Sequence, residues 1–175
     1  MSKSLLVTRP NHDETTNYLY YWSTLVIKEA RKRNFSVYNL AGNKANKKSA
    51  VAETIIYARS CDAGITLGKR LIKDRAKAFI GYNRKFILGY TPQKLTRPLS
   101  DSLAKLFLEP SNLVVTTLIK SKTAQAAQDR SKQAMWKNFR RMTANRASSQ
   151  MRYTARWLWS NYKSQVLYGD AKAAI

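Results

Sequence analysis

Two side chains in this sequence suit nucleophilic chemistry, and each occurs once: the thiol of Cys61 and the imidazole of His12. A thiol attacks a carbonyl as its thiolate, and a neighbouring imidazole is the usual acceptor of its proton. Cys61 stands in Tyr57-Ala58-Arg59-Ser60-Cys61-Asp62-Ala63-Gly64, where an apolar run gives way to small and polar residues that turn the chain. If that run is a strand of an open parallel sheet, the turn at its carboxyl end is where ligands meet the sheet. A helix starting after Gly64 would bring backbone N–H groups near the sulfur, favouring thiolate and supplying donors for an oxyanion. A plainer role also fits, because a lone cysteine in an intracellular domain packs as a small buried apolar group. One cysteine makes no internal disulfide and, beside a single histidine, shows no metal-ligand spacing. Zinc fingers, disulfide scaffolds and a bound metal or cofactor are therefore not expected.

The second chemistry is electrostatic. The 175 residues carry 32 Lys+Arg against 10 Asp+Glu, a formal net charge of +22. Such a chain favours a polyanion, either nucleic acid or an acidic surface, because phosphates release counterions on meeting its cations. Between residues 111 and 165 eleven basic residues face Asp129 alone. Arg130, Lys137 and Arg141 fall on one stripe of a helix expected over 124–142, with Ala127, Ala134, Met135, Phe139 and Met142 roughly opposite. Arg152 and Arg156 interleave with Tyr153, Trp157, Trp159 and Tyr162, a pattern able to stack single-stranded bases. At helical spacing those aromatics equally serve as core, and a charged stripe equally serves as a solvated face. No zinc-finger or aromatic RNP motif is present.

The elements that must position these groups follow from periodicity and breakers. Residues 5–8 read as a buried strand, 13–33 as an amphipathic helix with acid at its start and base at its end, and 35–40 as a second strand. A short basic helix over 44–53 leads to strand 54–58, a helix through Leu71 and strand 78–82. After a loop with Gly89, Pro92 and Pro98, four helices are expected near 99–107, 113–119, 124–142 and 149–162, then a last strand at 166–168. Alternating strands and helices predict a single three-layer α/β domain over 1–175, with a mainly parallel sheet of about five strands and helices on both faces. Residues 1–53 form its β-α-β opening, and 54–175 its nucleophile strand and helical remainder. No run is long and apolar enough for a membrane span and no signal-peptide core is evident, so a cytoplasmic protein is expected.

The run from Ile55 through Cys61 to Gly64 resembles the nucleophile strand and turn of caspase-like cysteine peptidases of the CHAT type. Leu67-Gly68, Lys77-Ala78-Phe79-Ile80-Gly81-Tyr82, the helices around 103–108 and 118–128, and Trp157-Leu158-Trp159 followed by Val166-Leu167-Tyr168-Gly169-Asp170 are similar, in order, to later parts of that family. The resemblance covers residues 54–170. It implies a caspase-like fold, Cys61 as nucleophile, a peptide or protein substrate, and substrate contacts near Asp62, Gly64 and, by topology, Arg9. The chain departs from the family where a His-Gly strand should precede the nucleophile strand. The interval 41–53 contains no histidine and is too short for more than one crossover. His12 is then the sole imidazole base, standing beyond the first strand, where it would pair with Cys61 if the first and third strands were neighbours. The expectation is a cysteine peptidase or a catalytically degraded relative, and the rival is a non-catalytic basic nucleic-acid-binding protein. The first needs a reactive thiol, the second a salt-sensitive affinity.

Overall fold

The structure, a computed structural model, describes residues 3–9, 11–41, 52–60 and 62–175. The basic helix expected over 44–53 lies mostly outside those residues, as does Cys61. Strand β1 is Ser4–Arg9, followed by helix α1, Glu14–Lys32, and strand β2, Ser36–Ala41. Asp13 starts α1 by accepting from the Thr16 N–H at 2.7 Å, while Thr16 Oγ1 accepts from the Asp13 N–H at 3.0 Å, a reciprocal cap that satisfies two otherwise orphaned donors. Glu14 in the first turn and Arg31 and Lys32 in the last complement the helix dipole. Strand β3, Ile55–Tyr57, helix α2, Leu67–Lys73, and strand β4, Ala78–Tyr82, come next. Helices α3, Ser102–Ile119, α4, Ala124–Thr143, and α5, Ser149–Ser164, lead directly into strand β5, Gln165–Gly169.

The fold is mixed α/β, and among the described residues its five strands form two sheets where the sequence predicts one. β1 pairs in parallel with β2, and β3 pairs in parallel with β4, which also pairs antiparallel with β5. The direction of β5 follows from the helices before it. Short loops of 120–123 and 144–148 make α3, α4 and α5 successive antiparallel passes, and β5 continues from the end of α5 without a loop. The sheets share one support, because Val114 and Leu118 of α3 pack with Ala78 and Ile80, while Val115 and Ile119, one position on, pack with Phe35, Val37 and Leu5. On the other face of β4, Phe79 lies under α2, so close to Gly68 that a Cβ there would stand 2.5 Å from the ring. The three-stranded sheet thus has helices on both faces. The β1–β2 sheet leaves Leu6 and Tyr38 exposed on its outer side.

Where the sequence predicts two helices, α3 is one, running through Pro110. Proline lacks the N–H that would reach the carbonyl four residues back, and its ring crowds that carbonyl. The orphaned acceptor is Leu106 O. It takes a hydrogen bond from Asn138 Nδ2 of α4 at 2.8 Å. Both halves of α3 remain committed to the core, with Leu103, Phe107 and Leu108 before the proline and Val114 and Leu118 after it. The helix is therefore held through its break by tertiary packing, and the break itself is satisfied by α4.

This arrangement has a measurable consequence. Asn138→Leu leaves the Leu106 carbonyl unpaired and should cost about 1–3 kcal/mol. Pro110→Ala restores a helical N–H to that carbonyl, so the same Asn138→Leu change should cost markedly less in that background. Urea denaturation of the four proteins in the cycle checks the coupling, and equal costs in both backgrounds would refute it.

Candidate functional site

Nucleophilic chemistry is expected at the carboxyl ends of β1 and β3. Cys61 itself lies outside the described residues. His12 is exposed beside the start of α1, where its backbone N–H donates to Thr16 Oγ1 at 3.0 Å. The pairing of His12 with Cys61 required β1 and β3 to be neighbours. They belong to different sheets among the described residues, because β1 is partnered by β2 and β3 by β4.

Arg9 is only 6% exposed and does not point to solvent as a receptor for acidic side chains would. Strand alternation puts it on the covered side with Leu5 and Val7. Its Nη2 donates to Tyr20 O at 2.7 Å, and its guanidinium carbon lies 3.8 Å from the Tyr20 ring centroid. Burial pushes its pKa down from the ordinary arginine value, opposed by the charge interaction with Tyr20. Arg9 fastens β1 to α1. Arg59 makes a comparable tie that the sequence does not signal: Nη1 donates to Asn112 Oδ1 at 2.9 Å, and Asn112 Nδ2 donates to Trp22 O at 2.9 Å.

The turn after β3 is tight. Asp62 is exposed with φ of 57°, in the left-handed region, and Ala63 and Gly64 are buried. Its backbone donors are already engaged: Gly64 N–H to Tyr82 O at 2.8 Å, Ile65 N–H to Asp62 O at 2.9 Å and Ala63 N–H to Ser60 O at 3.4 Å. The Gly64 amide thus ties the turn to β4, and the Ala63 amide closes the turn on Ser60. Gly64 is a packing residue, since a Cβ there would stand 3.0 Å from the Tyr82 carbonyl carbon and oxygen and 2.8 Å from Val166 Cγ2.

The second candidate lies on α4 and α5. Thr123 caps α4 by accepting from the Ala126 N–H, and Ser148 caps α5 by accepting from the Met151 N–H, both at 3.2 Å. α4 buries Ala124, Ala127, Ser131, Met135 and Met142, and α5 buries Thr154, Ala155, Leu158 and Asn161. Arg130, Lys137 and Arg141 are exposed, as expected, but at 100° per residue they share a flank of α4 away from Lys132 and Phe139. Arg141 borders a cleft against α3 with Ser102 and Glu109. Arg152 Nη1 is turned back to the carbonyl of Ala147, and the guanidinium of Arg156 lies 4.3 Å from the Tyr153 ring centroid and 5.7 Å from that of Trp157.

Between α4 and α5 the structure assembles a cluster of four rings. Trp136 and Phe139 of α4 stack at 5.6 Å and 21°, Trp159 and Tyr162 of α5 stack at 5.2 Å and 18°, and Trp159 reaches across to Phe139 at 5.2 Å and to Trp136 at 5.8 Å. Trp136 is nevertheless 42% exposed and Trp159 38%. Cations stand against the rings, with Lys132 Nζ 5.2 Å from Tyr162 and Lys163 Nζ 5.7 Å from Trp159. The Lys132 ammonium is held below the ordinary lysine pKa, first by burial and then by Lys163, against the opposing pull of Asp129. Sequence reasoning named Trp159 and Tyr162 but missed Trp136, Phe139, Lys132 and Lys163 as functional residues. Their signal is spacing: Lys132, Trp136 and Arg140 at i, i+4, i+8, and Arg152, Arg156, Trp159 and Lys163 at i, i+4, i+7, i+11 each make one helical stripe.

Gly64→Ala tests the first edge, because a methyl group there collides with backbone. Overpacking should cost about 1–3 kcal/mol in urea unfolding, and an unchanged midpoint would contradict the packing role. No protein-family model, curated protein or solved structure matches the chain.

Proposed function

We propose that this protein binds nucleic acid without catalysis, through the face formed by α4 and α5. The observation that carries this reading is uncompensated charge. Lys132 and Lys163 stand against rings of the seam between the two helices, and the exposed Arg140 and Arg156 lie one helical turn from Trp136 and Trp159; α5 contains no acidic residue, and α4 contains only Asp129, whose carboxylate accepts from Gln125 Nε2 at 2.8 Å. The ion pairs among the described residues are Arg33–Glu29, Arg70–Asp74 and Lys77–Glu53, none of which involves these four cations. Lys132 and Lys163 repel one another across the seam, and a phosphate between them relieves that repulsion while releasing its own counterions. A net charge of +22 draws the polyanion to the surface, and the seam holds it.

The affinity of the intact chain for an oligonucleotide should fall linearly with the logarithm of salt concentration. Lys132→Gln together with Lys163→Gln should reduce the magnitude of that slope by about 1.5, two phosphate contacts at roughly 0.7–0.9 each. Filter binding or fluorescence anisotropy across a salt series reads both quantities. An affinity indifferent to salt defeats the proposal.

A second reading is favoured by one observation, the left-handed turn at Asp62, five residues beyond the end of a strand that runs parallel to its neighbour. We infer that the three-stranded sheet with its flanking helices derives from a caspase-like architecture in which Cys61 occupies the former nucleophile position, and that the protein is a catalytically degraded relative acting in the cytoplasm. The engagement of the Ala63 and Gly64 amides supports loss of catalysis. On this reading a mild thiol probe near neutral pH should label Cys61 no faster than a free cysteine, and Cys61→Ser should leave oligonucleotide affinity unchanged. Rapid stoichiometric labelling, with peptide hydrolysis abolished by Cys61→Ser, would instead identify a working peptidase.

A further inference from the structure

We propose that the α4–α5 seam recognises unpaired bases: Trp136 and Trp159 stack with bases of a single-stranded nucleic acid while Lys132, Arg140, Arg156 and Lys163 hold its phosphates. This rests on the nucleic-acid reading above and adds the class of ligand. Charge alone selects no such class, since a duplex and a single strand both present phosphates. The rings do. The faces of bases are buried in a duplex and become available to aromatic side chains only where the strand is unpaired.

The geometry meets the needs of a stacking platform in three respects. Two indoles keep 42% and 38% of their surface in water although each packs against other rings, so contact area is available without rearranging the core. The near-parallel pairs Trp136–Phe139 and Trp159–Tyr162 fix the indole planes from behind, which lowers the entropy lost when a base settles on them. Lys132 of α4 and Lys163 of α5 lie 5.2 and 5.7 Å from the centroids of two α5 rings, so a base on this cluster brings its own phosphate within reach of an ammonium. The outward stripe of α5 from Arg152 to Lys163 is about 16 Å long, enough for a short run of nucleotides.

Other occupants fit less well. A second copy of the chain would bring an identical cationic face to this one, and like charges oppose that contact. A neutral apolar partner would have to desolvate the surrounding lysines and arginines without offering them a partner.

The test uses the intact chain with a uridine oligomer of about 15 nucleotides, its thymidine counterpart and a mixed-sequence duplex of the same length. Single strands should bind more tightly than the duplex, and tryptophan fluorescence should be quenched by the single strands. Trp159→Ala and Trp136→Ala should each weaken single-strand binding by about tenfold, within the 5- to 150-fold range of one lost stacked base, while leaving the salt slope unchanged. Trp159→Phe should retain most of the affinity, and thermal melts of each variant separate lost stacking from lost folding. Equal affinity of RNA and DNA oligomers supports readout of base faces and phosphates without the 2′-hydroxyl, whereas a preference for RNA with an affinity unchanged by Trp159→Ala and Trp136→Ala would overturn the assignment to the rings. Duplex and single strand bound equally, with both alanine variants silent, would overturn this inference and leave the electrostatic reading intact. No binding to any oligonucleotide would overturn both. Binding to anionic vesicles alone, or a change of oligomeric state in Trp159→Ala, would replace the proposed ligand with a membrane surface or a second copy.

Discussion

Pro110 sets a condition that much of the structure answers. It sits in the middle of α3, where it removes the N–H due to Leu106 O, and a buried carbonyl left without a donor costs about as much as a lost hydrogen bond. Asn138 supplies the donor from α4. That bond fixes the rotation of α4 about its own axis, because Asn138 must face α3. Trp136 is two positions earlier, about 200° around the helix, so the same bond turns Trp136 away from α3 and toward α5. The ring cluster, and with it the candidate binding seam, therefore depends on a defect in a neighbouring helix and its repair.

The start of α3 is fixed as firmly. Asp101 is 1% exposed, and its carboxylate accepts from the Leu103 and Ala104 N–H groups at 2.9 and 3.1 Å, from Tyr18 Oη at 2.6 Å and from the Thr91 N–H at 2.7 Å. A buried carboxylate is tolerable only when its lone pairs are filled in this way. Burial and the Asp101 bond both hold the Tyr18 hydroxyl above the ordinary tyrosine range. Midway along the helix, Tyr57 bonds to Ser111 at 2.7 Å and to Tyr82 at 3.2 Å, while Gln165 Nε2 donates to Tyr82 and to Ser131. A chain with a charge of +22 repels itself when folded, and among the described residues few ion pairs offset this. Cohesion is supplied by apolar packing and by these enclosed polar contacts around α3.

Much of this was legible from the sequence wherever one element sufficed. α1 announces itself through Asp13, Glu14 and the period of Tyr18, Trp22, Val26 and Ala30, and β4 through five consecutive small or apolar residues. Pairing was not legible. About five strands were expected and five are present among the described residues, but periodicity says nothing about partners, so neither the division into two sheets nor the reversal of β5 could be read. α3 reads as two helices, near 99–107 and 113–119, because the side chain that satisfies the backbone at Pro110 lies on another helix. Arg9 misled for a different reason: its charge suggested solvent, whereas strand alternation and the Tyr20 ring enclose it. The seam escaped because Trp136 and Trp159 become neighbours only once α4 and α5 pack.

The two cationic stripes of α4 show why charge was a weaker guide than its surroundings. Arg130, Lys137 and Arg141 stand on a flank where no exposed ring has been placed, and cations in that setting are well hydrated and gain little from one bound phosphate. Lys132 differs in being partly buried, repelled by Lys163 and set against the Tyr162 ring. Water solvates it poorly, so an incoming phosphate displaces less favourable hydration and meets a stronger field. Separately, the partial exposure of Trp136 and Trp159 leaves large apolar ring surface in water in the unbound state, at a hydrophobic cost. Both costs are removed together by a ligand that presents a flat apolar face and an anionic group a short distance apart. A nucleotide has that composition, and an unpaired one has its face free.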